Sequence, residues 1–281
     1  MSANSSTSRL AKRPSVITLI LWLAAFIWVI PVAWTVSLSL TPNETLRAEA
    51  VGLVPKGATL DNFITLFGVS LFPRWLLNSA IVSIGSTIGV VALCSLAGYA
   101  LARMTFRGRG ALFALIMAGV MIPDHAVFIP RHVLFSDLGL SNSYLGLSLP
   151  RLALPLGVFL MFQFFRAIPR DIEEAAALDG AGSWTTFRRV ILPLSRPALV
   201  TLGIFSFIQA WNDFLWPLVS TNKPEMYTVT IGLASLQSDL AQTEGLGSLM
   251  ATAVVTSIPI LLVFLVFQRY LIEGVRGTAR F

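Results

Sequence analysis

Charged residues, lysine and cysteine are all scarce in this chain, and each shortage excludes a class of protein. Only 12% of its 281 residues are charged, whereas a soluble domain carries about 25%, so the chain lacks the polar surface that an aqueous domain needs. Its single cysteine, Cys94, excludes a disulfide framework. Its three lysines follow Ala11, Pro55 and Asn222. The Gly-Lys pair with which a P-loop holds nucleotide phosphate is therefore missing.

Apolar residues dominate instead, at 55% of the chain, with a mean hydropathy of +0.77. They form runs of roughly 20 residues, the length that crosses a bilayer core. Such runs predict an all-α polytopic membrane protein with six transmembrane helices. Pro150 and Pro155 in the fourth run and Pro259 in the sixth predict kinked helices. The six spans are expected near residues 15–39, 75–102, 111–130, 146–165, 197–218 and 247–268.

The distribution of basic residues predicts the orientation. Most arginines and lysines fall on the side that holds both termini and the polar segment 166–195, and the positive-inside rule places that side in the cytoplasm. The expected organisation is a cytoplasmic tail over 1–14, a six-helix domain over 15–268 and a cytoplasmic tail over 269–281. The first apolar run, about 25 residues, exceeds the 7–15 of a cleavable signal peptide, which favours a retained helix.

The net charge of +6 raises the alternative of nucleic-acid binding. The basic residues flank the apolar spans rather than clustering on a polar domain. No nucleic-acid partner is therefore expected, and membrane lipid is the expected surrounding.

The polar segment 166–195, called the insert below, interrupts the apolar runs and predicts a helix–turn–helix on one membrane face. Its first helix is expected to begin at Pro169 and carries acidic residues in its first turn, which suit the positive end of a helix dipole. Gly180 and Gly182 permit a sharp reversal. Ser183 is predicted to cap a second helix, and Pro193 is predicted to end it. The second helix would carry Trp184, Phe187 and Ile191 on one face.

The first helix of the insert has a small apolar face formed by Ile172, Ala175 and Ala176. Such a face lets a soluble partner approach closely, and Glu174 would attract a basic partner. The alternative is an amphipathic helix lying on the lipid surface. Docking is the favoured interpretation, because anionic lipid would repel the acidic first turn.

Several motifs occur in an order that resembles a known family. Glu174-Ala175-Ala176, then Gly180, then Val190-x-Leu192-Pro193 resembles the EAA loop of permeases in binding-protein-dependent ABC importers. Residues 211–218 (WNDFLWPL), 227–233 (YTVTIGL) and 268–270 (QRY) resemble the carbohydrate-importer permeases of the maltose-permease type, in particular their shorter six-span subunit. The similarity extends over nearly the whole chain.

The resemblance implies a type I ABC importer permease fold and a set of partners. These are a second permease subunit, two cytoplasmic ABC ATPase subunits and an extracytoplasmic substrate-binding protein. ATP and magnesium would be used by the ATPase subunits, while this chain would bind no cofactor and be no enzyme. The location implied is the prokaryotic cytoplasmic (inner) membrane. The resemblance assigns ATPase coupling to Glu174, Ala175, Ala176, Asp179, Gly180, Leu192 and Pro193.

Polar and aromatic residues within the spans are candidates for the substrate pathway, because burying them in lipid is costly. Polar residues also hold helices together and tryptophans anchor at the interface, and this more ordinary role is favoured for each of them. The candidates are Asn78, Gln209, Trp211, Asn212, Asp213 and Trp216. Asp124, His125 and His132 have poor spacing for a metal site, and none is expected.

Three functions are compatible with these features. The leading one is a sugar-importer permease subunit. A permease for glycerol-3-phosphate or a related polyol ester would need arginines facing its cavity, and no arginine lies in the middle of a predicted span. A membrane sensor or assembly protein would use the insert to dock a cytosolic partner without coupling to an ATPase.

Overall fold

The structure is a computed structural model that describes residues 16–48, 54–68, 71–239 and 245–278, and the predicted tail over 1–14 lies outside these ranges. The regular elements in the described ranges are helical. The α-helices are α1 Val16–Ser39, α2 Asn43–Ala48, α3 Asp61–Gly68, α4 Phe72–Arg103, α5 Arg109–Met121, α6 Phe128–Asp137, α7 Tyr144–Leu152, α8 Pro155–Ala167, α9 Asp171–Leu178, α10 Ser183–Thr186, α11 Leu192–Leu194, α12 Arg196–Trp211, α13 Leu215–Ser220, α14 Val229–Asp239 and α15 Leu246–Thr278. Shorter helical turns are the 3-10 turns Asp124–Val127 and Pro224–Met226 and the π-helical turn Phe187–Ile191.

Three helices, α1, α4 and the part of α15 up to Tyr270, are each long and apolar enough to cross a membrane. Three further candidates are pairs of helices with a bend between them. If each pair is one span, the described chain has up to six, which agrees with the predicted number. The bends are 92° between α5 and the helical segment Asp124–Asp137, 49° between α7 and α8, and 76° between Ser183–Leu194 and α12.

Prolines account for two of these bends. A residue before proline avoids the helical conformation: Ile122 before Pro123 has a ψ of 117°, and Leu154 before Pro155 a ψ of 87°. The predicted kink at Pro155 is confirmed. The predicted span near 111–130 corresponds to one of these bent pairs, with a break at Pro123 that hydropathy did not indicate.

The last two predicted spans also differ in detail from the structure. The predicted fifth span, 197–218, consists of α12 and α13 with a break at residues 212–214. The sixth passes Pro259 as one helix and continues to Thr278, through most of the segment predicted as the C-terminal tail.

The chain divides into two compact units. The first comprises Met1–Leu66 and Leu240–Val254, of which the structure describes residues 16–48, 54–66 and 245–254. At its centre the buried Asn62 amide donates hydrogen bonds to the carbonyls of Ser39 and Thr41, at 2.9 and 2.8 Å. The Asn62 side-chain oxygen accepts from Asn43, whose own side-chain oxygen accepts from the Gly247 N–H at the start of α15. This amide cluster joins α1, α2, α3 and α15 within the unit.

The second unit comprises Phe67–Asp239 and Val255–Phe281, and α4 is its central helix. α4 packs against α7, α8, α12 and α14. Glycines allow the closest approach: a Cβ added at Gly98 would lie 2.7 Å from the Met161 Cβ, and one added at Gly157 would lie 2.8 Å from the Cys94 sulfur. Small residues let membrane helices pack closely in this way. The core residues around this contact are Val90, Cys94, Tyr99, Leu101, Ala102, Met161, Phe162, Phe165, Phe187, Ile191, Ala198 and Leu202.

The contact between α4 and α8 can be tested with two glycines of the same helix. We expect Gly98→Ala to lower the free energy of unfolding by about 1–3 kcal/mol, because the new methyl group would also lie 3.0 Å from the Phe162 backbone nitrogen. Gly85→Ala is the control, since a Cβ there meets no atom within 4 Å in the described structure. Thermal unfolding in detergent measures the difference. Equal stability of the two variants would contradict the packing described for α4 and α8.

Candidate functional site

The second unit contains a cavity of about 890 Å³. It lies where three helix breaks meet: the turn between α5 and α6, the junction of α7 with α8, and the junction of α12 with α13. Ser86 and Val90 of α4 complete its wall. Within a membrane, interrupted helices are tolerated where their free backbone groups line a water-filled cavity or are buried in protein. The three breaks therefore mark this cavity as a candidate pathway.

An ion pair between Arg151 and Asp213 lies in the cavity wall. Both side chains are largely buried, at 20% and 16% exposure. An unpaired charge is costly to bury, and in this pair each side chain neutralises the charge of the other. The predicted spans have no arginine at their centres, yet Arg151, near the start of the predicted fourth span, lines this cavity. Arg151 belongs to α7, half of a bent candidate span, and is tolerated there because Asp213 compensates it.

A second ion pair connects Arg131 of α6 to Asp124 of the preceding 3-10 turn, at 2.9 Å. The Arg131 guanidinium also lies 4.8 Å from the centre of the Trp216 ring. Phe128 and Phe135 meet that ring edge to face, at 6.1 and 5.5 Å, and its indole N–H donates to a buried carbonyl at 3.0 Å. Trp216 is thus a fixed aromatic wall, only 4% exposed.

Two amides face the open part of the cavity. Gln209 and Asn212 lie three residues apart around the end of α12, and both are exposed and line the cavity. Neither side-chain amide makes a hydrogen bond within the described part of the protein. Amides of this kind can donate and accept hydrogen bonds with a ligand's hydroxyl groups.

Of the six residues predicted for the pathway, Gln209, Asn212, Asp213 and Trp216 line the cavity, whereas Asn78 and Trp211 do not. Asn78 is fully buried and donates to the carbonyls of Glu225 and Tyr227, while its oxygen accepts from the Tyr144 hydroxyl. Trp211 stacks on Phe207 at 5.7 Å and donates to the Thr256 carbonyl. Both residues fix neighbouring segments in place.

The insert forms a helix–turn–helix, as predicted. α9 is followed by Gly180 with φ +80°, the left-handed conformation that favours glycine. Gly182, with φ −72°, precedes the second helix, and Ser183 is its first residue, so the prediction of Ser183 as the cap is wrong by one residue. Pro193 lies inside α11 and the helical segment ends at Leu194. Pro193 is accommodated because it occupies the first turn of α11, where proline is tolerated.

The side chains of the insert separate into two faces. Glu174, Ala175 and Asp179 are exposed, and Ala176 and Leu192 are partly buried. Two large apolar side chains are also open to the surroundings, Leu178 at 90% exposure and Trp184 at 62%. Leu178 and Trp184 therefore add apolar side chains to the exposed part of the insert.

The inner face of the insert is attached to the helices that precede it. Phe187 packs against Tyr99 of α4, with ring centres 4.8 Å apart, and against Phe165 of α8 at 6.4 Å. Glu173 of α9 forms an ion pair with Arg103, the last residue of α4, at 3.5 Å. The acidic first turn was predicted only to favour the helix dipole, and it also provides this contact.

Sequence patterns did not identify Arg103, Arg131 or Arg151 as site residues. Each was recognised only as a basic residue outside the hydrocarbon. The partners of Arg103 and Arg151 are 70 and 62 residues away along the chain, so no local spacing could reveal either pair. An aspartate in an apolar segment, Asp213, was the one indication that a cation had to lie nearby.

Interrupted apolar helices around a polar cavity, with an attached helix–turn–helix, are the features expected of a membrane permease of the ABC importer class. Residues 93–277 match the family described as the binding-protein-dependent transport system inner membrane component. The chain belongs to this family, and the resemblance to carbohydrate-importer permeases is confirmed.

Several characterised permeases are similar to the chain over most of their length. It is 35% identical to the trehalose transport system permease protein of Mycobacterium tuberculosis, over 89% of this chain and 91% of that protein. It is 34% identical to the arabinooligosaccharides transport system permease protein of Halalkalibacterium halodurans, over 89% and 90%. It is 31% identical to the sn-glycerol-3-phosphate transport system permease protein of Brucella abortus, over 93% and 95%.

The fold matches a solved structure as well. A chain of a bacterial ABC transporter involved in the import of the acidic polysaccharide alginate superposes with a TM-score of 0.77, over 91% of this chain and 95% of that one. At 22% identity this likeness shows the fold alone, which is the predicted type I ABC importer permease fold.

The ion pair in the cavity wall makes a testable contribution to stability. We expect Arg151→Gln to lower the free energy of unfolding by about 2 kcal/mol, between the values for exposed and buried pairs, because Asp213 loses its partner. The double variant Arg151→Gln/Asp213→Asn should recover at least half of that loss, since both charges are then gone. Thermal unfolding in detergent measures both, with the exposed Arg74→Gln as control. Additive losses in the double variant would show that the two side chains do not interact.

Proposed function

We propose that this chain is the transmembrane permease subunit of an ATP-driven, binding-protein-dependent importer of a neutral sugar, either a mono- or an oligosaccharide. The cavity among the three helix breaks would form its half of the translocation pathway. The observation that carries the proposal is the pair of open amides, Gln209 and Asn212, beside the fixed Trp216 ring in a cavity whose charged groups are mutually paired.

The charge balance of the cavity supports a neutral substrate. Arg131 is paired with Asp124, and Arg151 with Asp213, so neither arginine is left to hold an anion. An anionic polyol ester would have to displace a carboxylate from its partner. A neutral sugar needs only hydrogen bonds, which the exposed amides of Gln209 and Asn212 can supply.

The insert supplies the coupling to ATP hydrolysis in this proposal. The exposed residues of α9 and the turn after it would enter a groove of a cytoplasmic ABC ATPase subunit, with Glu174 and Gly180 central and Ala175 and Ala176 allowing close approach. Asp179, Leu192 and Pro193 would complete the contact. The exposed Leu178 and Trp184 support it, because a protein partner that covers the insert would bury both side chains.

The complete importer would contain a second permease, two ATPase subunits that bind ATP and magnesium, and an extracytoplasmic binding protein. Both termini and the insert would face the cytoplasm of a prokaryotic cell. This follows from the excess of arginine on that side. The family description, an inner membrane component of a binding-protein-dependent transport system, supports a complex that includes a binding protein.

The coupling role predicts a specific defect. Gly180→Pro and Glu174→Lys should each lower substrate uptake at least tenfold while leaving the amount of protein in the membrane unchanged. Proline cannot adopt the φ of +80° at Gly180, and lysine reverses the charge offered to the partner. Uptake of labelled substrate by the reconstituted complex is the measurement. Gly182→Ala is the control, since φ there is −72° and a Cβ has open space in the described structure. Full uptake in both variants would defeat the coupling role.

The substrate class is tested by competition. Labelled-sugar uptake into vesicles that contain the whole importer should be inhibited by unlabelled neutral mono- or oligosaccharides and not by glycerol-3-phosphate at the same concentration. Inhibition by the phosphate ester alone would favour the anionic alternative, which the Brucella abortus relative brings into consideration. A chain that supports no uptake and no stimulation of an ATPase would instead be a membrane sensor or assembly protein.

A double variant connects the substrate to the cavity. Gln209→Leu/Asn212→Leu removes two amides that would each contribute a hydrogen bond of about 0.5–1.5 kcal/mol. The initial uptake rate should therefore fall roughly 5- to 150-fold, with normal assembly of the complex. Leu218→Ala, at an exposed position outside the cavity lining, is the control. An unchanged uptake rate in the double variant would exclude these amides from the pathway.

A further inference from the structure

Arg103 lies at a junction of three helices of the second unit. It is the last residue of α4, and its side chain is only 5% exposed. Its guanidinium donates to the carbonyl of Phe165 at 2.5 Å and to that of Ile168, both at the C-terminal end of α8. Its Nε faces the Glu173 carboxylate of α9 at 3.5 Å. Arg103 thus belongs to the central helix and contacts both the helix before the insert and the insert itself.

The chemistry of these three contacts explains why an arginine occupies the position. The last carbonyls of a helix have no partner within that helix and carry its partial negative charge. The guanidinium has five N–H donors in a fixed plane, so it can satisfy two carbonyls and a carboxylate together. Arg103 Nε and Glu173 Oε1 are both buried, and neither has a hydrogen-bond partner among the described residues, so the 3.5 Å ion pair is the contact that compensates both atoms.

The two neighbouring glutamates of α9 therefore differ in their surroundings. Glu173 turns inward to Arg103, whereas Glu174 is exposed. One helical turn before Arg103, Tyr99 packs against Phe187 of the insert. The insert is thus attached to α4 at α9 through the ion pair and at the π-helical turn through the aromatic contact.

α4 leads from this junction to the cavity without interruption. It is one helix from Phe72 to Arg103, and its residues Ser86 and Val90 line the cavity. At 1.5 Å per residue, Arg103 lies about 20–25 Å along the helix axis from these two residues. A displacement of α9 that is transmitted through Arg103 therefore moves a wall of the cavity.

We propose that Arg103 is the positioning residue that makes the insert, α8 and α4 move as one body, so that a displacement of α9 reaches the cavity. This inference rests on the proposed function, since it specifies how movement of the docked insert is transmitted. Arg103 itself contacts neither the partner nor the substrate. Without it, α9 still docks, but its movement is no longer passed to α4.

The test uses the complete reconstituted importer with Arg103→Gln and Glu173→Gln, and with Arg107→Gln as control. Arg107 is an exposed arginine of the same connection. Sugar uptake and ATP hydrolysis are measured across a range of binding-protein concentrations. We expect Arg103→Gln to lower maximal uptake per ATP hydrolysed at least tenfold and Glu173→Gln at least threefold, while Arg107→Gln stays within twofold of the unmodified importer.

Two further readouts separate transmission from a general structural role. The binding-protein concentration that gives half-maximal stimulation and the basal ATP hydrolysis should both stay within twofold, because neither depends on the junction. The double variant Arg103→Gln/Glu173→Gln should be no worse than Arg103→Gln, since both substitutions remove the same link.

The inference is overturned if Arg103→Gln keeps normal uptake per ATP, or if basal hydrolysis falls in parallel with uptake. Should Arg103→Gln fail to assemble, Glu173→Gln decides: it leaves both carbonyl hydrogen bonds of Arg103 in place, and normal uptake per ATP in that variant rejects the link. An unmodified importer whose ATP hydrolysis does not respond to a binding protein contradicts the proposed function instead. The two failures are therefore distinguishable.

Discussion

The need to satisfy backbone hydrogen-bonding groups in an apolar environment governs where this protein can interrupt a helix. Within the bilayer a broken helix leaves N–H and C=O groups without partners, which costs several kcal/mol for each group. In the second unit the breaks near Pro123, Pro155 and Asn212 all line one cavity. The helix breaks and the cavity therefore depend on each other. The breaks expose backbone N–H and C=O groups, and the cavity lets those groups face water rather than lipid.

Charged side chains, like backbone groups, need a partner when they are buried in an apolar environment. Arg151 and Asp213 lie largely buried in the cavity wall and compensate each other, and Arg103 compensates Glu173 at the junction with the insert. Each pair joins helices that are distant in the sequence, so the charges also define how those helices pack. The paired cavity is suited to a neutral, hydroxyl-rich molecule, and the paired junction holds the insert against α4 and α8.

Local patterns predicted the features that depend on local chemistry. The first and second spans, expected at 15–39 and 75–102, correspond to α1 and α4 within three residues at each end, because long uncharged runs have few other stable forms in a membrane. The reversal at Gly180 was predictable since few residues other than glycine accept a positive φ. The break at Pro123 was not predicted, because a single proline hardly changes the mean hydropathy of an apolar run. Of the residues predicted for the pathway, Asn78 and Trp211 lie outside the cavity lining. The sequence could not indicate this, because a polar or aromatic residue within a span has the same sequence pattern whether it lines a cavity or holds a neighbouring segment.

The sequence by itself determined that this chain is embedded in a membrane, that it cannot bind ATP through a P-loop, and that it has a polar helical insert whose first helix is acidic. These properties follow from composition, from run length and from residues close together in the chain. Only the tertiary structure decided which polar residues share a cavity and which charges are neutralised. Arg103 with Glu173, and Arg151 with Asp213, meet because helices pack in three dimensions, and partners that are 70 and 62 residues apart leave no local pattern in the sequence.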